Sequence, residues 1–257
     1  MFLPYCFPWV AFVTFYSLFL KLQLKVQSLF VGVNRVFTRT FTRRVFSNTA
    51  IRMQSSSSVK WFPLKLKNPV ELKLDVTLQC GQSFRWRQTK LDNQSVWVGP
   101  IGISCDQLKS ISNFIAGSTV FGLKEQDDDL YFTTFPLTES SLNEELLKKY
   151  FMLDLSLSKL KEEWSTADPN FKKLASTGRF DGLRLLQLDP VECLFCFICS
   201  QNNNIKRITK MVESLCTKYG KVLQTVNDIP IYQFPTVQDL ATNADEDTLR
   251  ALGMSNI

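Results

Sequence analysis

The spacing of hydrophobic and polar positions changes period once along this chain. Glu71-Leu72-Lys73-Leu74-Asp75-Val76-Thr77-Leu78 alternates strictly, which predicts a half-buried strand. Short strand-like runs follow at Phe84–Arg87, Val96–Cys105, Thr119–Lys124 and Leu130–Phe135, separated by turn residues at Gly81, Asn93 and Asp127–Asp129. This is the pattern of an antiparallel sheet. From Thr138 onward the period becomes helical. Ser141 and Glu144 have capping-box spacing, and Leu146, Leu147, Tyr150 and Phe151 supply an apolar face. Leu155–Trp164 and Pro169–Ala175 predict further helices, and helical signals recur at Val237–Leu240 and Asp247–Leu252. Strands first and helices afterwards predict an α+β fold, an antiparallel sheet domain with helices followed by an all-helical part.

Between the last two long helical patterns lies Cys199-Ser200-Gln201-Asn202-Asn203-Asn204-Ile205-Lys206-Arg207-Ile208. Upstream, Asp189-Pro190 reads as an N-cap followed by proline at the first helical position, leading into an almost wholly apolar run to Cys199. Downstream, Ile205, Ile208, Met211, Val212, Leu215 and Tyr219 keep helical spacing and stop at Gly220. The three asparagines therefore fall at a helix-helix corner, with Lys206, Arg207 and Lys210 in the first turns of the second helix. Amides that donate and accept, beside cations at a helix N-terminus, suit a nucleic acid. The same residue types also fit an Asn-rich turn flanked by solvated charges.

Charge is distributed unevenly. The formal net charge is +6, yet residues 1–60 hold eight Lys/Arg and no acid, so the remainder carries 22 basic against 24 acidic residues, a net of −2. Any affinity of the folded body for DNA must come from local patches. Seven cysteines, an odd number, predict reduced thiols in an intracellular compartment. Cys193, Cys196 and Cys199 have the spacing of a cluster-binding motif, but they sit in a Phe/Leu/Ile-rich helix where cysteine behaves as a small hydrophobe. No metal or other cofactor is expected. The chain has no histidine, which excludes imidazole acid/base chemistry.

Residues 1–53 differ in character. Met1 to Leu20 is uncharged, and residues 31–53 are rich in Arg, Thr, Ser and Phe. On a helix Arg35, Arg39 and Arg43 would lie about 200° from Phe37, Phe41 and Val45. A basic amphipathic helix without acids has the look of a mitochondrial transit peptide. Two other readings stand beside it: Phe2–Leu20 as a membrane anchor, and Met53 as the true start.

Three motifs carry a resemblance. Gly81-Gln82-Ser83-Phe84-Arg85-Trp86, Phe180-Asp181-Gly182-Leu183-Arg184-Leu185-Leu186 and Asp189–Ile208 together resemble the eukaryotic 8-oxoguanine DNA glycosylase family, in order and spacing, from about Trp61 to Gly253. The resemblance implies residues 1–58 as leader and linker, 59–180 as the N-terminal sheet domain, and 181–257 as the start of the helical glycosylase domain. It also implies base-excision repair chemistry on duplex DNA carrying 8-oxoguanine opposite cytosine. In that family the first asparagine of the triplet enters the vacated stack, and an arginine five residues on contacts the orphan cytosine. Those roles fall on Asn202 and Arg207; Asn203 and Asn204 would cap and hold the corner. The motif glycine, Gly81 here, would offer its backbone carbonyl to the N7 hydrogen that distinguishes 8-oxoguanine from guanine. Glycine permits such close backbone approach, although a plain turn glycine fits the local residues too. Phe84 and Trp86 are expected in the core, and Arg85 and Arg87 as a surface or interdomain pair.

The family's nucleophilic lysine belongs to a hairpin motif, followed by a Val-Asp segment, and neither is found among these 257 residues. No catalytic residue is therefore assigned. After Leu249–Met254 the family continues with a tyrosine wedge and a second cytosine-contacting arginine, where this sequence reads Ser255-Asn256-Ile257. The expectation is a C-terminally truncated, marginally stable family member, monomeric, mitochondrial or nuclear or both, without stable membrane association and with little glycosylase activity of its own. The alternatives are a non-catalytic short isoform that binds damaged DNA or a partner, and a membrane-anchored interaction protein.

Overall fold

The computed structural model describes residues 59–66, 68–102, 118–138 and 141–254. The readings of the leader and the end of the strand expected to reach Cys105 lie outside the described residues. Among those described, no helix is long and apolar enough to cross a membrane.

Five antiparallel strands form the main sheet: β1 (Phe62–Leu64), β2 (Arg87–Leu91), β3 (Gln94–Ile101), β4 (Thr119–Gln126) and β5 (Asp129–Phe135), in the spatial order β1-β5-β4-β3-β2. Its two tight hairpins turn at Asp92-Asn93 and Asp127-Asp128, all four residues with positive φ. Such two-residue turns match the right-handed twist of the strands they join, and Asn and Asp tolerate the left-handed region best among non-glycine residues. The sheet is covered on both faces. Trp97, Phe121, Leu123 and Phe132 pack with Leu146, Leu147, Tyr150 and Phe151 of the first long helix and its end. Val96, Val98 and Val120, one residue out of phase, face Val226 and Ile231.

The helices are α1 (Leu74–Leu78), α2 (Ser141–Tyr150), α3 (Leu157–Ala167), α4 (Pro169–Ala175), α5 (Pro190–Cys199), α6 (Ile205–Tyr219), α7 (Val237–Asn243) and α8 (Glu246–Leu249). The α+β class holds, with three corrections in detail. The alternating segment Glu71–Leu78 is not a strand but a short 3-10 turn, Pro69–Glu71, followed by α1. Leu74 and Leu78 satisfy a spacing of four as well as alternation. The polar residues Glu71 and Thr77 are themselves buried, which a division into polar-out and apolar-in cannot anticipate. Phe84–Trp86 is not strand either: four consecutive residues, Ser83 to Trp86, are buried, and β2 begins only at Arg87. The segment expected to be all-helical contains a hairpin, β6 (Val222–Val226) and β7 (Ile229–Tyr232), turning at Asn227-Asp228.

That hairpin supplies Val226 and Ile231 to the sheet's second face, and Asn227 Nδ2 donates to the carbonyl of Lys90 at 2.5 Å. A separate helical core holds Phe84, Cys196, Cys199, Ile208, Met211, Val212, Leu215, Cys216, Phe234, Leu240 and Met254. Helix α6 is the most amphipathic element, with its buried residues at 208, 211, 212, 215 and 216. It ends at Gly220, which has extended rather than left-handed backbone. Glycine is required there by crowding, because a Cβ would lie 2.1 Å from the Gln233 carbonyl oxygen. Leu185 and Leu194 stay exposed at 63% and 39%.

Candidate nucleic-acid interface

The corner between α5 and α6 is built from its asparagines. Asp189 caps α5, its Oδ1 accepting from the amides of Val191 (2.9 Å) and Glu192 (3.2 Å). At the other end Asn203 Nδ2 donates to the Cys199 carbonyl (2.9 Å) and to Met211 Sδ (3.2 Å). Asn204 Oδ1 accepts from the Arg207 amide at 3.1 Å and caps α6. These two amides hold the corner, as the resemblance implies. Asn202 is different. It is exposed, its φ is 44°, and its side chain makes no hydrogen bond to the described residues.

Arg207 is also exposed, and its Nη2 lies 3.4 Å from the Gly253 carbonyl. Gly253, at φ 93°, interrupts the turn Arg250–Met254. Lys206, Arg207 and Lys210 project from the first turns of α6, and that first turn holds no acid. Free amides and cations together make this end of the helix attractive to a phosphate backbone.

Gly81, 124 residues before Ile205, comes to the same place. Its φ is +87°, a left-handed conformation that favours glycine. A Cβ built on it would sit 3.5 Å from Ile205 Cδ1, the first residue of α6, itself half exposed. The fold thus sets Gly81 against the first residue of α6, which stands in sequence between Asn202 and Arg207.

Behind this face stands a set of buried polar contacts that the sequence reading missed. Gln82 Nε2 donates to the Arg184 carbonyl (2.8 Å) while its Oε1 accepts from the Leu186 amide (3.0 Å). Arg85, expected as one of a surface or interdomain pair, is buried. Its Nη1 meets Glu192 Oε2 at 3.0 Å, and Nη2 donates to the Tyr232 carbonyl. Burial presses the Arg85 guanidinium toward deprotonation, but Glu192, together with Cys216 and Cys196, outweighs it and holds the pKa above its ordinary value. Burial pushes the Glu192 carboxyl up, with Arg85 opposing. Arg87, half exposed, pairs with Glu213 Oε1 of α6 at 2.8 Å. Phe84 and Trp86 are core, as expected, and Trp86 Nε1 donates to Tyr150 Oη at 2.9 Å.

The second motif serves as a keystone. Gly182, at φ +72°, leaves no room for a side chain, because a Cβ would fall 2.4 Å from the Lys73 amide nitrogen. Its carbonyl accepts from that amide (3.0 Å) and from Thr77 Oγ1 (2.8 Å). Arg184 is buried and donates to the carbonyls of Phe151, Met152, Leu155 and Glu71 and to Glu71 Oε2. Burial alone would raise the Glu71 pKa. Hydrogen bonds from Ser158 Oγ, the Leu157 and Ser158 amides and Arg184 outweigh it and hold the carboxyl at about 2, against 4.5 ordinarily. The only sequence signal for this network was the motif itself.

Of the three clustered cysteines, Cys196 and Cys199 lie in the helical core beside Cys216 and Cys193 is half buried. Burial pushes these thiols up, Cys216 to about 11. Among the described residues no group of three His, Cys, Asp or Glu side chains is placed to hold a metal.

Comparison with known proteins places these features in a family. Residues 65–194 match the family described as 8-oxoguanine DNA glycosylase, N-terminal domain. Residues 195–256 match the HhH-GPD superfamily of base excision DNA repair proteins. The chain is 37% identical over 191 residues to an N-glycosylase/DNA lyase of Saccharomyces cerevisiae, covering 72% of this chain and 46% of that protein. It is 33% identical over 200 residues to the N-glycosylase/DNA lyase OGG1 of Arabidopsis thaliana, covering 78% of this chain and 49% of that protein. The chain therefore spans about half the length of the curated relatives it matches. Among solved structures, the Clostridium acetobutylicum 8-oxoguanine glycosylase/lyase in complex with dsDNA containing cytosine opposite to 8-oxoG aligns with a TM-score of 0.56 at 26% identity, over 72% of this chain and 55% of that one. With half of its residues in one match and the adjoining segment in the other, this chain belongs to the 8-oxoguanine DNA glycosylase family of the HhH-GPD superfamily.

Proposed function

We propose that these residues form the recognition part of a base-excision repair glycosylase/AP lyase that engages duplex DNA at 8-oxoguanine opposite cytosine. The observation that carries the reading is the seat of Gly81 against Ile205 at the N-terminus of α6, in the segment whose exposed residues include Asn202 and Arg207. A base-acting enzyme must swing its target out of the stack. Asn202, exposed and without a side-chain hydrogen-bond partner among the described residues, can enter the gap. Arg207 can then supply paired donors to the N3 and O2 acceptors of the cytosine left behind. The Gly81 carbonyl accepts a hydrogen bond from N7–H of 8-oxoguanine and repels the N7 lone pair of guanine. The cations of α6 supply the sequence-independent attraction to phosphate.

The nucleophile does not come from these residues. A Schiff-base lysine must be partly neutral, which requires a lowered pKa, and the hairpin motif that carries it in the family is not in this sequence. The chain acts as a monomer in the nucleus, with mitochondrial delivery by the segment 31–53. Borohydride trapping on duplex DNA with 8-oxoguanine opposite cytosine tests the assignment. No covalent adduct is expected from the 257-residue chain, whereas a chain extended past Met254 with the hairpin should trap. An adduct with the 257-residue chain would place a nucleophilic lysine within it and overturn the division of labour.

A further inference from the structure

The two reading elements come from distant parts of the chain: Gly81 follows α1, whereas Asn202 lies between α5 and α6 and Arg207 in the first turn of α6. Their alignment depends on the segment between Gly81 and β2, which is fastened almost residue by residue. Gln82 ties it to the stretch before α5, Phe84 enters the helical core, and Arg87 reaches Glu213. At its centre the Arg85 and Glu192 side chains are only 6% and 7% exposed. Arg85 is further fixed by the Tyr232 carbonyl and by the Phe234 ring, 5.9 Å from the guanidinium carbon.

A buried ion pair is a weak device for stability, since well-packed apolar residues of similar volume often serve as well or better. Its distinctive property is direction. Phe84, an apolar anchor, can slide and repack, whereas a hydrogen-bonded guanidinium and carboxylate fix the distance and angle between two backbones. Reading one hydrogen on N7 demands such precision. A hydrogen bond fades within a few tenths of an ångström, while cation–phosphate attraction tolerates such shifts.

We propose that Arg85 and Glu192 are a positioning pair that sets the Gly81 carbonyl against the α5–α6 corner, and so governs discrimination between 8-oxoguanine and guanine rather than overall affinity for DNA. The inference rests on the role given to Gly81 above. Neither residue touches the nucleic acid; both act through the segment they anchor.

The test is equilibrium binding of the 257-residue chain to two duplexes that differ only in 8-oxoguanine or guanine opposite cytosine. Wild type is compared with Arg85→Lys, Glu192→Gln and the apolar double variant Arg85→Met/Glu192→Leu. The double variant removes the pair without leaving a buried charge alone, so it keeps the test usable if a single variant fails to fold. The expected result is at least about a tenfold fall in the preference for the damaged duplex, with affinity for the undamaged duplex within about twofold of wild type. A purely structural role would lower both affinities in proportion and leave their ratio unchanged, and that outcome overturns the inference. A wild-type preference retained in full by every variant also overturns it while sparing the reading of Gly81. A wild-type chain with no preference overturns both.

Discussion

Removing the Arg184 side chain should be among the most damaging single changes in this chain, although that side chain bonds none of Gly81, Asn202 and Arg207. Its guanidinium is buried and joins Glu71 to the carbonyls of Phe151, Met152 and Leu155. Arg184→Met fills much of the volume but strands four carbonyls and takes the paired cation from the Glu71 carboxylate. Breaking a buried pair by deleting one partner costs about 3–5 kcal/mol, a large part of the roughly 5–15 kcal/mol that holds a domain folded. For a body of this size each kcal/mol moves Tm by about 2–4 °C, so the melt should fall by roughly 6–20 °C. Urea titration provides the measure, with the midpoint falling and the slope unchanged. Acid titration isolates the other partner. The folded pKa of Glu71 is depressed to about 2 from 4.5, so its contribution is fully present above pH 4.5 and disappears as the pH falls toward 2. Wild type should lose up to about 3 kcal/mol across that window beyond what Glu71→Gln loses. An Arg184→Met loss below about 1 kcal/mol, or identical acid limbs for wild type and Glu71→Gln, would refute the keystone reasoning.

Other changes separate the interface from its scaffold. Asn202→Gly keeps the left-handed backbone while deleting the amide, so it should weaken binding to 8-oxoguanine opposite cytosine with an unchanged melt. Arg207→Ala should cost about 1–3 kcal/mol on that duplex and reduce selectivity for cytosine over adenine opposite the lesion, read by competition binding. Gly182→Ala places a Cβ 2.4 Å from the Lys73 nitrogen and should lower stability by more than about 3 kcal/mol in urea, since that neighbour is backbone and cannot turn aside. Asn204→Ala deletes the α6 cap and should cost about 1 kcal/mol in the same assay.

How much of this was legible in the sequence depended on whether polar residues obeyed a simple rule. Strands β3, β4 and β5 and helix α4 were readable because turn residues and apolar spacing agreed. The Asp189 cap and the Asn204 cap were readable for the same local reason. Glu71–Leu78 was misread because a buried Glu and a buried Thr, each satisfied by partners about 105–113 residues away, look like surface positions in a linear pattern. The β6–β7 hairpin was missed although Asn227-Asp228 between β-branched residues is a hairpin signal; the helical periods on either side dominated the reading. Gly81, Asn202 and Arg207 came from motif resemblance. Their supports, Arg85 with Glu192 and Gln82 with Leu186, depend on long-range packing that no local pattern encodes.

The central claim is that one face of this chain reads 8-oxoguanine paired with cytosine. Its most direct test is competition binding of the 257-residue chain to duplexes carrying 8-oxoguanine opposite cytosine, guanine opposite cytosine and 8-oxoguanine opposite adenine, at one stated salt concentration. Tightest binding to the first, with the preference reduced by Asn202→Gly and by Arg207→Ala, is the predicted result. Equal affinity for all three duplexes, or a preference indifferent to both substitutions, would contradict the account.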